Sequence, residues 1–153
     1  MSPKSATATL RRAWAADLTT EQLYAFLRLR ADVFVVEQRG IYQDLDGRDL
    51  LHSTRHFWIE SESGAPVAYL RLLEEPGGGF RIGRMVTAAS ARRRGLARRL
   101  LLAALAEVGG APCELGAQIY AVPLYASVGF QTVGEEYLED GTSHIAMRRP
   151  AAR

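Results

Sequence analysis

Along the chain the spacing of apolar positions changes several times, and each change marks an element. Leu10 to Ala15 predicts a short first strand. From Asp17 to Gln38, Leu23, Phe26, Leu27, Arg30, Val33 and Phe34 recur at helical spacing. Thr19 or Thr20 supplies an N-terminal cap, Glu21 sits in the first turn, and a break into two helices is expected near Arg28. The polar stretch that follows, with Gly40, Asp46 and Gly47, reads as a loop. Strand patterns then cover residues 56–62, 65–75 and 80–87; Gly83 inside the third implies a bulge or a close backbone approach. Residues 95–108 form an amphipathic helix with Leu96, Leu100, Leu101, Ala104, Leu105 and Val108 on one face, stopped by Gly109 and Gly110. A strand over 112–120, a short helix over 122–129 and a hairpin turning at Glu139 to Thr142 complete the pattern. Helices and strands alternate only partly, which gives an α/β (α+β) class with a mixed sheet. The first nine residues, small and polar, are expected to be disordered, leaving one domain over 10–150.

Composition narrows the function. The 153 residues suit one domain with a real core, and 48% hydrophobic with 24% charged residues is an ordinary globular mix. The net charge of +2 is too small, and the basic residues too interleaved with acids, for a diffuse nucleic-acid surface. No apolar run approaches the ~20 residues that span a bilayer, and the N-terminus lacks the apolar core of a signal peptide. The expectation is a cytoplasmic protein with neither nucleic-acid nor membrane partners. Cys113 stands alone, and no Cys/His cluster has zinc-ligand spacing, so no metal is expected. Cys113 reads as a small buried residue, and Trp14 and Trp58 read as core.

One stretch concentrates charge: "SARRRGLARRLLLAAL", Ser90 to Leu105. A strand hands over here to a helix N-terminus, where N–H groups lack partners and the helix dipole is positive, so the junction suits a phosphate. Gly95 permits close backbone approach, and nearby arginines can pair with phosphate oxygens. The spacing Arg92-x-x-Gly95-x-Ala97 matches neither GxxxxGK[ST] nor GxGxxG.

That strand–loop–helix order resembles the coenzyme A pyrophosphate signature of the GNAT acetyltransferase superfamily, and Tyr125-x-x-x-Gly129-Phe130 resembles its next element. The blocks "QLYAFLRLRADVFVVEQ", "YQDLDGRD", "IGRM", "LGAQ", "LYASVGF" and "YLEDGTSHIAM" are similar to the ElaA-like branch, in order, over about residues 14 to 148. The resemblance implies a mixed, curved sheet whose two central parallel strands, residues 80–87 and 112–120, splay apart, with helices flanking it. It implies acetyl-CoA as co-substrate and an N-acetyltransferase acting on a small-molecule or peptide amine in a ternary complex. Met85, Val86 and Thr87 would meet the pantetheine arm, with the Val86 N–H polarising the thioester carbonyl. Residues Arg92, Arg93, Arg94, Gly95, Leu96, Ala97 and Arg98 would hold the pyrophosphate. Tyr125 is the candidate general acid. Glu37 and His144 both remain open as base. Asp44, Asp46, Arg55, His56 and Gln118 are candidate acceptor contacts, and the acidic ones favour a cationic amine. An acyl-homoserine-lactone-synthase-like enzyme, a non-catalytic acyl-CoA-binding module and homodimerisation stay open beside this reading.

Overall fold

The computed structural model describes residues 8–153. The expected disorder of the first nine residues lies outside this range for residues 1–7; Thr9 opens the first strand. Seven strands form one mixed sheet: β1 (Thr9–Trp14), β2 (Arg55–Glu60), β3 (Pro66–Glu74), β4 (Phe80–Thr87), β5 (Cys113–Gln118), β6 (Gln131–Glu139) and β7 (Thr142–Arg149). Their order is β1-β2-β3-β4-β5-β7-β6, antiparallel throughout except where β4 meets β5. That parallel pair is in register only at Phe80 with Cys113 and Arg81 with Glu114. Beyond these two rungs the central strands diverge, as the resemblance implied.

Helices α1 (Thr20–Arg30), α2 (Leu96–Val108) and the short α3 (Val122–Ala126) flank the sheet. The stripe predicted for α2 is its buried face: Leu96, Leu100, Leu101, Ala104, Leu105 and Val108 pack with Phe57, Ile59, Leu70, Leu72 and Leu115 in the larger core. Burial removes these side chains from water, a gain of about 1.5–3 kcal/mol for each of the larger ones. On the opposite side, Phe26, Leu29 and Val33 pack against Trp58, Tyr69 and Val86. Cys113 is fully buried.

Of the two cap candidates, Thr19 takes the role. Its hydroxyl accepts from the Gln22 N–H at 3.0 Å, and Gln22 Oε1 accepts from the Thr19 N–H at 2.9 Å, a reciprocal capping box. The break expected near Arg28 falls later and is gentler. The chain stays right-handed and widens into a π-helical stretch over Ala31–Glu37, closed by Gln38 N–H donating to the Val33 carbonyl at 2.9 Å. Val33 thereby keeps its core contact while Phe34, Glu37 and Gln38 turn toward a cleft.

The bulge anticipated at Gly83 centres on its neighbour. Between the pairs Tyr69–Val86 and Arg71–Gly83 the β4 strand carries one extra residue, Arg84 and Met85 standing opposite Leu70, and Arg84 takes a positive φ of 53°. This kink re-aims β4 at the place where it leaves β5.

Candidate active site

The divergence of β4 from β5 opens a cleft of about 1180 Å³. Its walls include Glu37 and Gln38 from the π-helical stretch, Asp46 from the loop, Met85 to Thr87 from β4, Gln118 from β5, Tyr125 from α3 and His144 from β7. Arg92, Arg93 and Ala97 line the end nearest α2.

At that end the chain turns through two left-handed residues, Arg93 (φ 64°) and Gly95 (φ 72°), before α2 begins. Glycine adopts this conformation without strain, and a Cβ on Gly95 would meet nothing within 4 Å. Among the described residues, none of the amides from Arg93 to Arg98 donates a hydrogen bond to another part of the chain; the helical ladder starts with Arg99 N–H to the Gly95 carbonyl. Six consecutive unpartnered donors beside a positive dipole end make a strong anion cradle. Arg93, Arg94 and Arg98 are exposed and enter no ion pair among the described residues. Arg92 is different. Its guanidinium grips Glu37 at 2.7 Å through both nitrogens, and its Nε donates to the Thr87 carbonyl at 3.2 Å. Leu96 turns its side chain into the core, so only its backbone faces the turn.

Ladder geometry also decides which β4 amides face the gap. Ala88 N–H donates to the Val67 carbonyl at 2.8 Å. Bonding alternates along an antiparallel strand, so Val86, opposite Tyr69, is the next residue turned toward β3. The Met85 and Thr87 amides point the other way, into the gap. The Val86 N–H, expected to meet a thioester, is therefore committed to the sheet.

Tyr125 is 7% exposed and meets Phe130 edge to face, with ring centroids 6.1 Å apart. Its hydroxyl enters no side-chain hydrogen bond among the described residues, and the residue lines the cleft. Burial pushes its pKa up to about 12. The His144 Nδ1 lies 2.9 Å from the Thr142 carbonyl. A carbonyl only accepts, so Nδ1 carries the proton and Nε2 of the neutral ring keeps a free lone pair, 3.7 Å from Glu139. Glu37 is held by its hydrogen bonds to Arg92, which pull its pKa below the usual carboxylate value.

The expected acceptor contacts separate into two groups. Gln118 lies in the cleft, its amide donating to Gln38 Oε1 at 3.3 Å, and Asp46 lines the wall. Asp44 sits behind that wall, paired with Arg30 at 3.0 Å and Arg84 at 2.8 Å. His56 and Arg55 are not brought to the cleft. His56 is fully buried between the Tyr69 hydroxyl (2.7 Å) and the Asp49 carbonyl (3.0 Å). Arg55 stacks on Trp14 and reaches Glu74 and Glu107 on the other side of the molecule. The acidic loop is neutralised from within: Arg71 binds Asp46 at 2.6 Å and Asp49 at 3.2 Å, and Arg30 binds Asp49 at 2.7 Å. The hydrogen bond to Arg71 holds Asp46 far below the usual carboxylate range. Sequence reading passed over Arg71, Arg81 and Arg84, all of which line the cleft. Arg71 did leave a signal, as one charge inside the apolar run "AYLRLL".

A partly unzipped central strand pair, leading to an anion-binding helix N-terminus with a buried phenol beside it, is the layout of an acyl-CoA transferase. The chain belongs to the GNAT acetyltransferase family, whose domain model matches residues 15–150, and within it to the ElaA-like branch. It is 52% identical over 149 residues to a UPF0039 protein of Mycobacterium tuberculosis, covering 95% of this chain and 96% of that one. It is 39% identical over 145 residues to protein ElaA of Escherichia coli, covering 88% and 91%. The crystal structure of E. coli ElaA superposes with a TM-score of 0.85 at 36% identity, and that of an acyl-CoA N-acyltransferase from Pseudomonas aeruginosa with 0.85 at 42%; each match covers 94% of this chain and 99% of the other. The family binds acyl-CoA. The unpartnered amides of Arg93 to Arg98 and the unpaired guanidinium groups beside them fit its pyrophosphate.

Proposed function

We propose that the protein transfers the acetyl group of acetyl-CoA to a primary amine of a small molecule or peptide, by direct attack in a ternary complex. The observation that carries the reading is the alignment of three features on one cleft: the gap between β4 and β5, the unpartnered amides at its α2 end, and the Tyr125 hydroxyl on its wall. Acetyl-CoA supplies an activated acyl carbonyl and a thiolate leaving group. The amides of Arg93 to Ala97, with the Arg93, Arg94 and Arg98 side chains, hold the phosphates. The amides of Met85 and Thr87 bind and orient the arm, and the Met85 N–H is the oxyanion donor.

Tyr125 is the general acid. With its pKa near 12 it keeps its proton at every physiological pH, and its unpartnered O–H is free to donate to a departing thiolate. His144 is the base: Nδ1–H on the Thr142 carbonyl fixes the ring and presents the Nε2 lone pair to the cleft. Glu37 serves as a positioning residue, since a carboxylate gripped by an arginine is a weak proton acceptor. Its pairing with Arg92 ties the π-helical stretch to the phosphate-binding turn.

The test is thiol release from acetyl-CoA across a panel of small amines, polyamines and peptides. Acetylated product confirmed by mass supports the reading. CoA-induced stabilisation without release for any amine would instead favour a non-catalytic binding module.

A further inference from the structure

Away from the phosphate-binding turn, one cation in the cleft has no counterion among the described residues. Of the six arginines lining it, Arg48, Arg71, Arg84 and Arg92 each hold a carboxylate, and Arg93 belongs to the phosphate-binding turn. Arg81 alone remains without an ion pair or hydrogen bond among the described residues. Its register partner Glu114 is turned to Arg148, at 3.9 Å. Arg81 sits at the start of β4, six residues before Thr87, which at ~3.3 Å per residue places it about 20 Å from the phosphate end.

A second donor converges on the same spot. A Cβ built on Gly116 would lie 2.8 Å from the Tyr137 hydroxyl and 3.7 Å from an Arg81 terminal nitrogen. Both groups therefore reach over Gly116, where any side chain would collide with the Tyr137 hydroxyl. The Tyr137 hydroxyl also lacks a hydrogen-bond partner among the described residues, and its ring stacks on His144 with centroids 5.8 Å apart. Guanidinium and phenol donors over a glycine floor form a site for a carboxylate. Gly116 and Gln118 are two residues apart on β5, and Gln118 pairs with His144 across the ladder, so the site lies about 7 Å along the sheet from the proposed base.

We infer that the acceptor is an amino-carboxylate, an amino acid or short peptide whose carboxylate is bound by Arg81 and Tyr137 over Gly116 while its amine faces His144. The inference rests on the acetyl-transfer reading for the amine's fate, but the anion site can be tested without turnover. Asp44 and Asp46, which gave the expectation of a cationic amine, are already neutralised by Arg30, Arg71 and Arg84.

The experiment uses matched probes: glycine, β-alanine, γ-aminobutyrate and glycylglycine, each beside its carboxamide. Turnover with acetyl-CoA and calorimetric binding to the CoA-saturated protein are both measured. A charge-assisted contact predicts kcat/KM or affinity about tenfold or more in favour of the acid. In Arg81→Met that ratio falls toward one, and in Tyr137→Phe it falls partway; retained CoA-induced stabilisation shows that each variant is folded. Arg81→Lys, which keeps the charge, covers the case in which Arg81→Met does not fold, and it retains part of the preference. Acid-selective binding lost in Arg81→Met, without turnover of any probe, upholds the site and sinks acetyl transfer to this class. Equal handling of acids and amides by the native protein overturns the inference while leaving acetyl transfer standing. Binding of no probe at all overturns it as well.

Discussion

Glu37 and Arg92, 55 residues apart in the chain, meet in a two-pronged ion pair with both contacts at 2.7 Å. The pair joins the end of the π-helical stretch to the turn before α2, so one carboxylate orders two sides of the cleft. A residue with this role is needed for alignment and not for proton transfer. Glu37→Gln is expected to lower kcat less than about tenfold, whereas loss of a general base costs about 10²–10⁴-fold. Steady-state kinetics of the variant decide between the two, and a thousandfold loss would restore Glu37 as base.

Tyr125→Phe removes a hydroxyl that no other group in the described chain uses. Acetyl-CoA binding, read as thermal stabilisation, should be unchanged while kcat falls about a hundredfold. With the phenol pKa near 12, the native rate should show no descending limb below about pH 10. A bell-shaped profile centred near neutrality would point to a different acid.

Stability should fall with mild acid before the carboxylates titrate. Burial depresses the pKa of His56, which accepts from the Tyr69 hydroxyl at Nδ1 and donates to the Asp49 carbonyl at Nε2. The unfolded state then binds the proton more readily, so this contribution is complete above the unfolded value of 6.5 and is lost as pH drops below it. A urea midpoint that declines between pH 7 and pH 5 is expected. A flat midpoint over that range would mean that the His56 pocket accommodates the charge.

Among the described residues Arg30 has the least exposed ion-paired guanidinium, with Asp49 at 2.7 Å and Asp44 at 3.0 Å. Replacing it by methionine fills similar space but strips a buried carboxylate of one partner. Arg30→Met should cost about 3 kcal/mol of unfolding free energy in denaturant titration, toward the lower end for a broken buried pair because Asp49 keeps Arg71. A loss below about 1 kcal/mol would show that Arg71 suffices.

The scaffold was readable because its signals are periodic and local. The α2 stripe, the double glycine after it and the Tyr125-to-Phe130 block each report their own surroundings. The cleft was harder, because side-chain partners are set by strands far apart in sequence. His56 and Arg55 sit beside the acidic loop in sequence, yet strand alternation sends one into the core and the other to the far side. The commitment of the Val86 amide to β3 follows from ladder phase, which one strand's sequence does not encode. Arg81 carries no motif; it stands out only beside Arg48, Arg71, Arg84 and Arg92, each of which holds a carboxylate.

The parallel ladder between β4 and β5 has two register pairs, with Phe80 N–H donating to the Pro112 carbonyl at 2.9 Å beside them. Past them, what underlies the gap is the larger core, in which Leu100, Leu101 and Ala104 of α2 share a layer with Ile82 and Leu115. The spacing of reacting groups is thus set by upholstery and not by the frame. A methylene trimmed from that layer, remote from any polar group in the cleft, would alter reactivity before it altered the fold.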